Sequence, residues 1–145
     1  MAPLQRRALY SLVIGVIFAV ALIVVFVTRG GITTFHEDHG FRAIVYSLWI
    51  VGLAGNLLLM NFTLRKPVEF DERDRLIVER AQRIQLWAVI FSLVAWNIGL
   101  TEVYYEQGQI PVTFAFIIFM SILIVINLAQ SAGILVSYWR GINND

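Results

Sequence analysis

The sequence predicts an all-α membrane protein, an antiparallel bundle of four transmembrane helices, and three observations carry that expectation. Of its 145 residues 59% are apolar and 14% charged, where a soluble domain has about half and about a quarter. The apolar residues gather in four blocks with no charge in their middles, three of them about the 20 residues that a helix needs to cross a hydrocarbon core of about 30 Å and the fourth longer, so that it is expected to tilt or to emerge from the membrane. Nine lysines and arginines flank the blocks on one side and two on the other, which is the asymmetry that retains basic segments in the cytoplasm.

The first span is Ala8 to Val27. It is longer than the 7–15-residue core of a signal peptide, and Val24-Val25-Phe26-Val27-Thr28-Arg29 offers no small-residue cleavage pair. The sequence therefore reads as a retained span. Thr28 to Arg42 reads as a short polar outer loop, with Gly30-Gly31 as its turn signal. The second span is Ala43 to Phe62, and Pro67 stops it from continuing as a helix.

The third span, Ile84 to Val103, has a charged approach. Asp71 is a good N-cap, and Glu72 and Asp74 put acids in the first turn, where the helix dipole favours them. Asp71, Arg75, Glu79 and Arg83 are spaced four apart with alternating sign, which predicts a salt-bridge ladder. Beside it run Ile77, Ala81, Ile84 and Ala88, an apolar stripe. The spacing predicts a cytoplasmic helix over 71–83 that enters the bilayer unbroken as span three. Tyr104 to Ile110 reads as a tight outer turn, and Pro111 as the first helical position of span four, which ends at Tyr138. All 145 residues thus read as one transmembrane domain with both termini cytoplasmic, in the inner membrane. Tyr10, Trp87, Tyr138 and Trp139 fall at the inner interface, and Phe35, Phe41, Tyr104 and Tyr105 at the outer one.

Lipid gives helices no hydrophobic reason to associate, so small and polar residues must hold them. Span one offers Ser11, Gly15 and Ala19; span two, Gly52 and Gly55; span three, Ala88 and Ser92; span four, Ala129, Gly133 and Ser137. Asn56 and Asn127 lie at similar depth, so Asn56 is expected to bond Asn127 or Gln130, a contribution of about 0.6–2 kcal/mol.

Four groups bear on chemistry. His36, Asp38 and His39, with Glu37 between them, have ligand types for a zinc-like ion on the outer face, or form a solvated polar loop. Glu102, at the outer end of span three, is either a proton or cation site or a side chain that snorkels to the interface. Trp49, Trp96 and Asn97 either line a pocket for a lipid-like or quinone-like molecule or pack in the core with the indole N–H satisfied. The mixed charges of 71–83 suit a solvated face or a protein-docking surface (Asp71, Arg75, Glu79, Arg83) better than a grip on anionic lipid.

The absences narrow the class. Without cysteine there is no disulfide or thiolate site. No histidine lies inside a span to ligate haem, no acid or base sits mid-span as most proton-coupled pumps require, and a net charge of +1 gives no reason to expect nucleic acid. No cofactor is expected. The partners to expect are membrane lipids and either other integral-membrane subunits or a second copy of the chain.

The run Phe70-Asp71-Glu72-Arg73-Asp74-Arg75-Leu76-Ile77-Val78-Glu79-Arg80-Ala81, followed by Arg83 and Trp87, resembles a motif of small multi-span prokaryotic membrane proteins of uncharacterised function, the DUF2178-like group. The resemblance covers the start of span three and the four-span layout. It implies a topology and a prokaryotic source, and it supplies no catalytic residues. The function class expected is a non-enzymatic accessory or regulatory subunit of a larger membrane complex. The alternatives are a small homo-oligomeric channel or transporter, with Asn56, Asn97, Asn127, Gln130 and Glu102 along its path, and, third, a lipid-modifying enzyme.

Overall fold

A computed structural model describes residues 3–64 and 72–142, apart from the side chains at 33, 36, 56–57, 59–64 and 142. The described residues form five helices joined by short turns: α1 Pro3–Thr28, α2 Gly31–Glu37, α3 His39–Leu64, α4 Glu72–Tyr104 and α5 Thr113–Ile142. Three of these helices, α1, α4 and α5, are long and apolar enough among the described residues to cross a membrane. The fourth long helix, α3, has 26 residues and carries no charge after Arg42. The chain divides into two units, Met1–Glu69 with α1 to α3, and Phe70–Asp145 with α4 and α5.

In the first unit α1 starts at Pro3, which is tolerated in a first turn because its missing N–H has no helical partner there. Its buried residues Leu4, Ala8, Gly15 and Leu22 form one stripe, while Ile17, Val20, Ile23 and Val27 stand exposed on the other faces. Such a face is at home in lipid. Gly30 and Gly31, at φ 93° and 78°, end the helix in left-handed conformations that favour glycine.

The expected outer loop is largely helical. Gly31–Glu37 forms α2, and α3 begins at His39 rather than Ala43. The cause is aromatic: α2 exists to bury Phe35, whose ring lies 5.5 Å from both Phe26 and Phe41, with Phe26 and Phe41 5.3 Å apart. Phe41 and Val45 are fully buried at the centre of this cluster. Farther along, Phe18 packs edge-on against Trp49 at 4.8 Å and closes on Gly52, where a Cβ would meet its ring at 2.5 Å. Phe26 thus faces Phe41, and Phe18 faces Trp49 and Gly52, so α1 and α3 run antiparallel.

In the second unit α4 runs 33 residues without a break from the charged approach through Tyr104. Tyr104 O then accepts the N–H groups of Gln107 and Gly108, and Gly108 takes φ 64°, a helix stop that glycine makes readily. Helix α5 begins at Thr113, two residues later than Pro111. The carbonyls of Pro111 and Val112 accept from Phe114 and Ala115 at 3.0 Å, so the proline leads the chain into the helix. Antiparallel register follows from the contacts: Trp96 with Phe114 and Ser121, Ala81 with Gly133, Asp74 with Tyr138.

Candidate functional site

The start of α4 is the one place among the described residues where a dense charged surface adjoins a membrane-length helix. Its geometry is set by what α5 takes from it. The hydroxyl of Tyr138 donates to Asp74 Oδ1. The Arg73 guanidinium lies against the last turn of α5, where a Cβ on Gly141 would be 2.8 Å from Nη2, and a cation there complements the carbonyl end of the helix dipole. Ile77 and Ala81 continue the same face of α4 and are buried. At Gly133 a Cβ would meet the Ala81 backbone at 3.0 Å, so the two helices touch almost backbone to backbone. Small residues at both positions permit that approach.

The remaining circumference of α4 is open. Arg75, Glu79, Arg80 and Arg83 are exposed, and so is Leu76, at 59%. Asp71, the expected N-cap and first rung of the ladder, lies outside the described residues. Leu76 stands about 16 Å along the helix from Trp87, on the charged side of the apolar stretch, where a leucine exposed to water gains nothing from solvent. Sequence reasoning missed two features here. Leu76 was passed over between the charged rungs, although an apolar residue inside a charged run is itself a signal. The Asp74–Tyr138 bond depends on the register of α4 against α5, and setting Ala81 against Gly133 and counting outward comes only to within two residues of Tyr138.

The other expected sites are less organised. Asp38 Oδ1 accepts the N–H of Gly40 at 2.7 Å while its own backbone is extended, so it acts as the N-cap of α3. The Arg42 guanidinium donates to the His39 ring nitrogen Nδ1 at 2.7 Å. The His36 side chain lies outside the described residues, and among those that are described no three His, Asp or Glu residues converge as a metal site would need. The Asn56 side chain is also outside them, so its expected bond to Asn127 or Gln130 is not placed; Asn127 and Gln130 are half-buried on α5.

The two core tryptophans differ. Trp96 Nε1 donates to Ser121 Oγ at 2.8 Å, which in turn donates to Ile118 O. Trp49 Nε1 is buried without a hydrogen bond among the described residues. At the far end of the hairpin two open grooves of about 440 and 400 Å³ flank Trp96, Leu100 and Phe114, with Asn97 and Thr101 lining the first. Glu102 is exposed nearby. Comparison with protein families, with characterised proteins and with solved structures finds no match to this chain.

Proposed function

We propose that the chain is a non-enzymatic accessory or regulatory subunit of a larger integral-membrane complex. It would cross the inner membrane four times with both termini in the cytoplasm, α3 supplying the fourth crossing beside α1, α4 and α5. In this reading the first turns of α4 are the docking surface, and the exposed Leu76 amid Arg75, Glu79 and Arg80 is the observation that carries it. An apolar residue ringed by charges is the usual build of a small interface: the apolar group is desolvated at the centre and the charges set orientation at the rim. The grip of Asp74, Ile77 and Ala81 on α5 supports this by fixing which face of the helix turns outward. Fixing that face beforehand lowers the ordering cost of association.

The test is a pull-down from native membranes in mild detergent, comparing wild type with Leu76→Glu and with Arg75→Glu/Glu79→Arg. One set of co-purifying membrane subunits should be retained by wild type and lost, by tenfold or more, in Leu76→Glu. A single homogeneous species without partners in the wild-type preparation would overturn the reading.

A further inference from the structure

We infer that one face of α4, headed by Arg80 and Arg83 and continued by Trp87 and Phe91, is a binding site for a single anionic phospholipid of the bilayer leaflet on that side. At about 100° per residue, Arg80, Arg83, Trp87, Phe91, Val94 and Ile98 fall within about a quarter of the helix circumference. All six are exposed, Trp87 by 55% and Phe91 by 66%. From Arg80 to Ile98 the column is about 27 Å long, comparable to one leaflet with its headgroups. Its top is two guanidiniums one turn apart, its middle an indole whose ring centre lies 5.9 Å from that of Phe91, and its lower part is aliphatic. A phosphate can take charge-assisted bonds from both arginines. The indole N–H sits at the level of the glycerol backbone, where tryptophan prefers to lie, and an acyl chain can run along Phe91, Val94 and Ile98.

Read linearly, the acids of this segment nearly cancel its bases. Folding turns one of the acids away. Asp74 is turned to the opposite side of α4, where Tyr138 holds it, so the nearest described acid on α4 is Glu79, at the flank of the column. Leu76 lies at the same azimuth one turn before Arg80, so the docking surface and the column adjoin at Arg80, and the lipid column runs from there toward the apolar stretch.

The experiment titrates the full chain, purified in an uncharged detergent, with phosphatidylglycerol and separately with phosphatidylcholine, and counts retained lipid by native mass spectrometry. Near an anionic surface each arginine contributes about 1 kcal/mol, so Arg80→Gln/Arg83→Gln should weaken phosphatidylglycerol binding about 30-fold and each single change about fivefold. Arg75→Gln, on another face, should leave it unchanged, Glu79→Gln should strengthen it, and Arg80→Lys/Arg83→Lys should keep most of it. Phosphatidylglycerol and phosphatidylcholine binding equally, or Arg75→Gln costing as much as the paired change, would overturn the proposal. The first outcome would mean acyl contacts alone, and the second a diffuse basic surface.

Discussion

The two units of this chain solve the same problem with different materials. In α1 to α3 the contact is made by rings: Phe26, Phe35 and Phe41 close on one another, and Phe18 fills the space that Gly52 leaves. In α4 and α5 it is made by the lack of side chain at Gly133 opposite Ala81, with polar bonds at either end of the hairpin, Asp74 with Tyr138 and Trp96 with Ser121. Aromatic packing draws its strength from contact area and tolerates a coarse register. Backbone contact with a few directional bonds fixes the register residue by residue. The second unit is therefore the one suited to presenting a defined outward face, and both sites proposed above lie on it.

Substitutions can break each half of that contrast. The largest effect is expected from Phe41→Ala, which removes the fully buried centre of the aromatic cluster and should cost about 3–5 kcal/mol in denaturant unfolding in detergent. Gly133→Val comes next: its Cβ would press on the Ala81 backbone, and such overpacking costs about 1–3 kcal/mol. Gly55→Ala, where a Cβ meets none of the described atoms within 4 Å, serves as the control and should do no more than stabilise, by about 0.5–1 kcal/mol, as alanine does in a helix interior. Tyr138→Phe should cost about 1.5 kcal/mol, the lower end for a hydrogen bond to a charged group. It should also raise amide exchange selectively in the first turns of α4. Ser121→Ala sits at the bottom of the scale at about 0.6 kcal/mol, the average for one interhelical hydrogen bond in a membrane. If Tyr138→Phe left exchange at the start of α4 unchanged, the claim that directional bonds fix this register would fail.

What could be read from the sequence follows the same division. The unbroken α4 was legible because capping acids, charge spacing and an apolar run all agree on one helix. The close approach at Gly133 was legible because only a small residue earns a place there in a span. Helix α2 was not, because Gly30-Gly31 and Thr33-Thr34 look like a loop, and the reason for its helicity, Phe35 meeting Phe26 and Phe41, is non-local. Asp38 was weighed as a metal ligand because it lies between His36 and His39, yet its position two residues before Gly40 is equally that of a cap. Asp74 and Tyr138 are 64 residues apart, and only their shared register makes them partners.

The four tryptophans fall unevenly across the chain: Trp49 lies in the first unit, and Trp87, Trp96 and Trp139 in the second. Replacing the latter three by phenylalanine leaves one buried emitter pressed on Phe18, which reports on α1 and α3 alone. Replacing Trp49 instead leaves a signal from the hairpin. The molecule therefore carries its own optical labels for asking whether both halves melt in a single step or in two.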